Sequence, residues 1–279
     1  MKRLPDYLKR PIINTETTKT VRNILKNHCL NTVCENARCP NKNECYTKHT
    51  ATFLIMGNIC TRNCRYCNIS AGTPEALNEN EPKEVANAIK ELGLKYAVIT
   101  SVTRDDVPDG GAEHFAKTIE EIRKISPNTK IEILTPDFNG DKNSLDTIIK
   151  AMPEVFNHNI ETTKQVFKKA RPKGNYQTSL EVLKYVKDNS NIKTKSGLMV
   201  GLGETFEEIE ETFQDLKNVG CDILTVGQYI QPSKKHLEVE KYYTLEEFEK
   251  IKELAKKVGF KNFQIGPLVR SSYMAKDLI

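Results

Sequence analysis

The feature that most constrains the fold of this chain of 279 residues is a regular alternation of short apolar runs with amphipathic segments. The apolar runs predict strands at residues 51–56, 96–101, 130–135, 155–159, 196–200 and 223–227. Apolar residues at helical spacing predict helices at residues 17–26, 82–92, 112–125, 144–151, 176–187, 204–219 and 245–258. Three glycines stand where such helices should end: Gly93, Gly220 and Gly259.

Strands that alternate with helices predict an α/β fold in which helical crossovers join the strands of a parallel sheet. Six strand–helix pairs are too few for a closed barrel of eight. A doubly wound sheet is the alternative. The first strand is not followed by Gly-x-Gly-x-x-Gly, so the chain lacks the fingerprint of a dinucleotide-binding fold.

Composition indicates a globular protein, with 38% hydrophobic residues and a formal net charge of +5 at pH 7. No apolar run approaches the ~18 residues that a membrane span needs, and no secretory signal is expected at the first residues. The eight cysteines are therefore expected in the reducing cytoplasm. The basic residues are interleaved with acidic ones, which argues against nucleic acid as a partner and suits an acidic protein equally well.

Three cysteines lie in a short loop after the first predicted strand: Cys60, Cys64 and Cys67, the first cysteine group. Three thiolates at this spacing can bind three irons of a [4Fe-4S] cluster and leave the fourth iron open. Structural zinc favours paired Cys-x-x-Cys and four protein ligands, and disulfide frameworks are typical of short secreted chains. The cysteines of a ferredoxin cluster have two, two and three residues between them and are followed by Pro, which this loop does not have. The spacing thus disfavours each alternative.

A second cysteine group, Cys34, Cys39 and Cys45, lies in a polar stretch with Pro and Asn that predicts a loop over residues 33–45. A loop allows several thiols to converge, and three more thiols indicate a second cluster. Cys29 precedes Cys34 by the same four-residue gap, so spacing alone leaves Cys29 open as a fourth ligand. A free or structural thiol is the preferred interpretation of Cys29, and also of Cys221.

The first cysteine group, with Tyr66 before its last member, resembles the signature of radical S-adenosylmethionine enzymes. From about residue 33 to the C-terminus the chain resembles the lipoyl synthase family. The matching stretches are residues 32–35, 37–41, 51–55, 102–112, 158–162, 197–204, 225–229 and 266–273. The chain departs from the family's common residues at three positions: Asn31, Tyr46 and Met274.

The resemblance implies an incomplete (βα)6 TIM-type barrel over residues 51–260. It also implies an N-terminal cysteine-rich extension over residues 1–50 and a C-terminal tail over residues 261–279 that closes an auxiliary cluster. In barrels, functional residues lie at the carboxyl ends of the strands, which is where the first cysteine group follows.

The resemblance also implies the chemistry. The first cysteine group would hold a [4Fe-4S] cluster that cleaves S-adenosylmethionine to methionine and a 5'-deoxyadenosyl radical, which takes hydrogens from C6 and C8 of an octanoyl chain. Cys34, Cys39, Cys45 and Ser272 would hold an auxiliary [4Fe-4S] cluster that donates both sulfurs, with one cosubstrate consumed per sulfur. No further catalytic residue is expected, because homolysis replaces acid–base work.

The implied partners are proteins. The octanoyl chain would be carried on a lysine of a lipoyl domain or of the glycine-cleavage H protein. Electrons would come from a donor such as ferredoxin or flavodoxin, and an iron–sulfur carrier would rebuild the auxiliary cluster. Two alternatives stay open, namely another radical enzyme with an auxiliary cluster and a non-catalytic electron carrier with two clusters.

Five residues are candidates for binding the cosubstrate: Tyr66, Asn159, Glu161, Gly201 and Gly203. Asn159 and Glu161 could instead cap the next segment, and the glycines could form a tight structural turn.

Two charged groups allow a structural or a functional interpretation. An acidic run is either the rim of the active site or a solvated loop: Asp105, Asp106 and Asp109. A basic group is either a solvated helical face or a docking surface for an acidic carrier domain: Lys164, Lys168, Lys169, Arg171 and Lys173.

Overall fold

The computed structural model describes residues 3–10, 15–48 and 50–279, and these form two compact units. The N-terminal unit comprises Arg10–Arg62 and Ile69–Phe156, and the C-terminal unit comprises Met1–Lys9, Asn63–Asn68 and Asn157–Ile279. The predicted extension over residues 1–50 includes residues 1–2, 11–14 and 49, which lie outside the described residues.

The N-terminal unit begins with a helix and then alternates strands with helices. Its elements are α1 (Glu16–Asn27), β1 (Asn31–Thr32), α2 (Val33–Asn36), α3 (Lys42–Thr47), β2 (Thr52–Ile55), β3 (Ile59–Cys60), β4 (Ser70–Ala71), α4 (Glu81–Glu91), β5 (Tyr96–Ser101), α5 (Ala112–Ile125), β6 (Lys130–Leu134), α6 (Lys142–Ala151) and β7 (Val155–Asn157), which ends at the unit boundary. A short 3-10 helix covers Phe138–Gly140.

The strands of the N-terminal unit form a largely parallel sheet in the order β1-β2-β5-β6-β7. Thr52 of β2 pairs with Val98 of β5, and Tyr96 of β5 pairs with Lys130 of β6, both in parallel register. β1 pairs with β2 in the antiparallel direction. The helices between parallel strands act as crossovers, and the buried side chains of the sheet form the core of the unit.

The C-terminal unit repeats the strand–helix alternation. Its elements are α7 (Lys164–Ala170), α8 (Tyr176–Asn189), β8 (Lys193–Val200), α9 (Phe206–Asn218), β9 (Ile223–Gln228), α10 (Leu245–Val258) and β10 (Asn262–Ile265), with 3-10 helices at Asp6–Leu8 and Ala275–Leu278. β8, β9 and β10 are parallel neighbours. Residues 266–279, which follow β10, are called the closing segment below.

Local chemistry explains where the helices begin and end. α1, α9 and α10 each begin at a threonine whose side chain accepts a backbone N–H in a capping box: Thr15, Thr205 and Thr244. Gly93, Gly220 and Gly259 adopt positive φ angles at or just after the ends of α4, α9 and α10. The predicted helix ends at these three glycines are confirmed.

The predicted strands and helices are confirmed with small shifts at their ends, and α5, α10 and β5 have the predicted bounds. The loop predicted over residues 33–45 is wrong, because two short helices occupy much of it. The Thr32 side chain accepts the Glu35 N–H and so starts α2 directly before Cys34. The prediction did not include α7, β1, β3, β4 or β10.

Over the described ranges, none of the helices has the length and apolar character that crossing a bilayer requires.

Candidate iron–sulfur and cosubstrate sites

The second cysteine group converges within the N-terminal unit. Cys34 is buried in α2, while Cys39 lies in the following turn and Cys45 in α3, both half-buried. The Cys39 N–H donates to the Cys34 carbonyl at 3.2 Å. Burial, and next the neighbouring Cys39 thiol, raise the pKa of Cys34 to about 12 and that of Cys45 to about 11. Thiols that act on each other in this way lie close together.

The arrangement is more open than a site for one metal ion. Among the described residues, no three His, Cys, Asp or Glu side chains surround a single ion. Zinc–sulfur bonds of about 2.3 Å would bring the sulfurs of a zinc site within roughly 4 Å of each other. An iron–sulfur cluster instead takes one thiolate on each of several irons. Three free thiols in a partly buried setting therefore fit a cluster.

Polar contacts fix the frame around these thiols. The Thr50 hydroxyl donates to the Cys45 carbonyl at 2.9 Å. Tyr46 is fully buried and shares a hydrogen bond of 3.2 Å with the Thr32 hydroxyl. Cys29, by contrast, is exposed at the turn that follows α1 and adopts a φ of 52°.

The first cysteine group lies where the chain passes from one unit to the other. Cys60 ends β3 in the N-terminal unit, and its sulfur accepts the Arg62 N–H at 3.4 Å. Cys64 and Cys67 belong to the C-terminal unit, where the Cys67 N–H donates to the Cys64 carbonyl at 3.0 Å. All three cysteines are half-buried and form no disulfide within the described residues, and three thiols on one short loop are a donor set that suits a cluster.

Arg62 ties the Cys60 end of this loop to the N-terminal unit. Its guanidinium donates two hydrogen bonds of 2.8 Å to Asp105 and two of 2.7 and 2.8 Å to Asp137. A fifth bond of 2.7 Å reaches the Asn139 side-chain oxygen. The Arg62 side chain is only 4% exposed. The nearby guanidinium lowers the pKa of Asp105, so the network is held in its charged form.

The acidic run is used within the N-terminal unit. Asp105 binds Arg62, and Asp106 accepts from Arg104, whose guanidinium also donates to the Met56 and Glu75 carbonyls. Asp109 accepts the N–H groups of Gly111 and Glu113 and so caps α5. Each of the three carboxylates has an internal partner, although Asp105 and Asp106 are also exposed to solvent. Its place at the rim of an active site stays a prediction.

Backbone and side-chain bonds within the C-terminal unit hold the end of the cysteine loop that carries Cys64 and Cys67. The Arg65 N–H donates to Ala170, and the Arg65 carbonyl accepts from Leu237 at 2.9 Å. His236 contacts the Cys67 carbonyl through Nε2 at 2.9 Å, while Ser233 contacts its Nδ1 at 2.8 Å. A carbonyl can only accept, so Nε2 carries a proton and donates to the Cys67 carbonyl.

Tyr66, Asn159 and Glu161 form one polar group in the C-terminal unit. The side chains of Tyr66 and Asn159 lie within hydrogen-bonding reach of the Glu161 carboxylate, and the Arg171 guanidinium lies nearby. Burial raises the pKa of Glu161, an effect that Arg171 and the two hydrogen bonds oppose. Burial also raises the pKa of Tyr66 well above its usual value. The structure therefore brings three of the five candidate cosubstrate residues together.

The Glu161 backbone is strained, with a φ of 72° in a region that favours glycine. Strand β8 imposes this conformation, because the Glu161 N–H donates to Gly197 and its carbonyl accepts from Met199. Strain at a residue with a half-buried carboxylate is typical of functional positions.

The turn after β8 satisfies its own amides. The Glu204 carboxylate accepts the Gly201 N–H at 2.6 Å and the Leu202 N–H at 2.9 Å. These two amides therefore already have a partner within the chain. A cosubstrate contact by Gly201 or Gly203 stays a prediction.

The basic group is also largely occupied within the C-terminal unit. Lys168 donates to the Gly174 carbonyl, and Lys169 pairs with Glu240 at 3.1 Å. Arg171 is buried, with its guanidinium over the Phe167 ring and a bond of 3.3 Å to the Asn159 carbonyl. Docking of an acidic carrier on this group stays a prediction.

Comparison with known proteins identifies the family. The model of the Radical SAM superfamily matches residues 54–216. A lipoyl synthase of Caldanaerobacter subterraneus subsp. tengcongensis is 52% identical over 98% of this chain and 96% of its own length. A lipoyl synthase of Alkaliphilus metalliredigens is 49% identical over 100% of this chain and 97% of its own length. This chain belongs to the lipoyl synthase family.

Two solved structures support the fold of this lipoyl synthase family member. A maturase of the [FeFe]-hydrogenase aligns with a TM-score of 0.61 over 89% of this chain and 63% of that chain. Methylornithine synthase aligns with a TM-score of 0.58 over 87% of this chain and 74% of that chain. Both are 13% identical to this chain, so they show the fold alone. Family membership brings a [4Fe-4S] cluster, S-adenosylmethionine and an enzymatic sulfur transfer.

Sequence reasoning missed two residues that hold the cysteine loop of this lipoyl synthase family member. Arg62 lies between Cys60 and Cys64, and its charge could have indicated that it anchors the cysteine loop. His236 lies 169 residues beyond Cys67, and nothing in its local sequence indicates the contact.

Proposed function

We propose that this enzyme inserts sulfur at C6 and C8 of an octanoyl chain carried on a lysine of a lipoyl domain or of the glycine-cleavage H protein. Two molecules of S-adenosylmethionine are consumed, one for each C–H bond that becomes a C–S bond. Each abstracted hydrogen leaves in 5'-deoxyadenosine, and methionine is the second product.

The two cysteine groups hold two [4Fe-4S] clusters in this proposal. Cys60, Cys64 and Cys67 bind one, and Cys34, Cys39, Cys45 and Ser272 bind the other. When bound, the first cluster supplies the electron that cleaves the cosubstrate and the auxiliary cluster supplies the two sulfur atoms. A serine oxygen is a harder, weaker ligand for iron than a thiolate, which suits a cluster that is consumed.

The chain's own residues position the reactants. Arg62 anchors the Cys60 end of the loop through five hydrogen bonds. Tyr66, Asn159 and Glu161 form a half-buried group in which a carboxylate and an amide can contact the polar parts of S-adenosylmethionine. We further propose that the strands form an incomplete (βα)6 barrel. Ferredoxin or flavodoxin would donate electrons, and an iron–sulfur carrier would rebuild the auxiliary cluster.

One observation carries the auxiliary site: backbone hydrogen bonds fold α2, the following turn and α3 so that Cys34, Cys39 and Cys45 come together within one unit, and none of the three forms a disulfide. A radical enzyme needs only one cluster to cleave its cosubstrate, so a second group of three cysteines indicates a cluster that serves another step of the reaction.

Counting iron in cysteine variants tests the two-cluster assignment. After anaerobic reconstitution we expect about eight irons per chain in the natural protein, the content of two [4Fe-4S] clusters. Replacing Cys34, Cys39 and Cys45 together by Ala should leave about four and abolish sulfur insertion, while reductive cleavage of S-adenosylmethionine continues.

The exposed Cys29 provides the matched control, since Cys29→Ala should retain about eight irons. Unchanged iron in the triple variant would show that the second cysteine group holds no cluster. Loss of iron in Cys29→Ala would make Cys29 a ligand.

A further inference from the structure

Two adjacent serines in the closing segment have different surroundings. The Ser271 hydroxyl donates to the Asn159 side-chain oxygen at 2.8 Å. The Ser272 hydroxyl, in contrast, makes no hydrogen bond within the described part of the C-terminal unit. One serine is thus engaged by the protein while its neighbour keeps its oxygen available.

The closing segment runs directly against β8 and β9 because two strand positions are glycines. A Cβ at Gly227 would lie 2.0 Å from the Val269 carbonyl oxygen, and a Cβ at Gly197 would lie 2.5 Å from Thr225 Oγ1 on β9 and 3.0 Å from Ser271 Oγ. Neither glycine has a positive φ, so close approach alone requires them. Backbone bonds from Gly266 to the Val226 carbonyl and from Gln228 to the Pro267 carbonyl fix the start of the segment.

The bond from Ser271 continues into the polar group around Glu161. Asn159 uses its oxygen for Ser271, so its amide N–H is the group that is left to donate to the Glu161 carboxylate. The Tyr66 hydroxyl lies within hydrogen-bonding reach of the same carboxylate, on the loop that carries Cys64 and Cys67. Four side chains therefore lie in one polar row inside the C-terminal unit, and the bond from Ser271 anchors one end of it.

The two inner members of this chain have little freedom. Two backbone bonds to β8 hold Glu161, since its N–H donates to the Gly197 carbonyl and its carbonyl accepts from the Met199 N–H. The Arg171 guanidinium donates to the Asn159 carbonyl.

We propose that Ser271 is a positioning residue, and that the hydrogen-bonded chain Tyr66–Glu161–Asn159–Ser271 sets the register of the closing segment so that Ser272 presents its hydroxyl as a ligand. The ligand role of Ser272 rests on the proposed function. The consequence is a link between the loop of the first cluster and the ligand of the second. A cosubstrate that contacts Asn159 or Glu161 then also acts on the segment that carries Ser272.

Hydrogen–deuterium exchange of the full chain, followed by mass spectrometry of peptides from residues 266–279, tests this inference. In the metal-free chain we expect Ser271→Ala to speed exchange in this segment about fivefold, which corresponds to about 1 kcal/mol for one lost hydrogen bond. Tyr66→Phe removes only a hydroxyl at the far end of the chain and should speed exchange in the same segment about two- to fivefold. Ser272→Ala should have no effect.

Two results would overturn the inference: natural exchange rates in the closing segment of Tyr66→Phe, or equal acceleration by Ser271→Ala and Ser272→Ala. A reconstituted sample separates the inference from the function on which it rests. With clusters present, Ser272→Ala should also loosen the segment and lower the iron content. If it changes neither, Ser272 is not a ligand, while the metal-free result still decides whether the hydrogen-bonded chain acts as proposed.

Discussion

Replacing Gly227 by Ala should displace the closing segment without changing any proposed ligand. The new Cβ would lie 2.0 Å from the Val269 carbonyl oxygen, whereas real Cβ contacts are essentially never under 3.0 Å. The segment must therefore move by at least 1.0 Å, the difference between 3.0 and 2.0 Å. A backbone carbonyl cannot rotate away as a side chain can, so the whole Val269–Arg270 link shifts.

The segment should shift rather than detach. Overpacking of this kind costs about 1–3 kcal/mol. At least three hydrogen bonds tie the segment to the described part of the unit at about 1 kcal/mol each, and the buried side chains of Leu268 and Val269 add about 1.5–3 kcal/mol each. Detachment would cost more than the strain that it relieves. We expect the metal-free protein to lose about 1–3 kcal/mol of unfolding free energy, or a few degrees in Tm.

The functional effect should exceed the effect on stability, because a ligand displaced by about 1 Å no longer binds its iron well. We expect Gly227→Ala to cleave S-adenosylmethionine at nearly the natural rate but to insert sulfur at least tenfold more slowly, a barrier increase of about 1.4 kcal/mol. The assays are quantification of 5'-deoxyadenosine and of the lipoylated peptide from the same reaction.

Gly266→Ala is the matched control in the same segment. Its Cβ would meet only the Val269 Cγ2 atom at 3.6 Å, an ordinary contact, and its φ is not positive. This variant should behave as the natural protein does. Natural sulfur insertion in Gly227→Ala, or an equal loss in Gly266→Ala, would refute the reasoning from close approach.

Three further variants test separate parts of the structure. Arg62→Ala leaves two carboxylates without their cation and should cost about 3–5 kcal/mol in urea unfolding, with a smaller loss in the Lys variant, which keeps the charge but not the bidentate fork. The hydrogen bond to Glu84 raises the pKa of His28, so its contribution of about 0.2–1 kcal/mol is fully present below pH 6.5 and is lost as pH rises through the folded-state pKa. His28→Gln should therefore lower unfolding free energy at pH 5.5 and leave it unchanged at pH 9; equal losses at both would exclude the ion pair as the cause. Glu161→Gln removes the charge that two side chains bind and should weaken S-adenosylmethionine binding about tenfold in equilibrium dialysis, and natural affinity would remove Glu161 from the site.

Much of the fold follows from local patterns. The periodicity of α5 and α10 placed their ends correctly, and in α10 the apolar stripe also coincides with a capping box at Thr244 and a left-handed glycine at Gly259. β10 escaped prediction because its polar–apolar alternation over Asn262–Ile265 spans only four residues and the strand is only partly buried. α2 and α3 escaped because polar composition suggested a loop, while the Thr32 cap was sufficient to start a helix.

The candidate site was also only partly predictable from the sequence. Cysteine spacing is local, so the two thiol groups could be read from the sequence. The partners that hold them are distant in sequence, since Asp137 lies 75 residues from Arg62 and Asn159 lies 112 residues from Ser271. The acidic run shows the limit most clearly, because its charge suggested a rim or a solvated loop while each carboxylate has an internal partner.

The mass of an octanoylated lipoyl-domain peptide tests the central claim most directly. The peptide would be incubated anaerobically with the reconstituted enzyme, a reductant and S-adenosylmethionine. We expect a gain of two sulfur atoms, limited to about one turnover per chain because the auxiliary cluster is consumed as the donor. Cleavage of the cosubstrate with no sulfur gained by the peptide would contradict the proposed function, although radical cleavage of S-adenosylmethionine would still be supported.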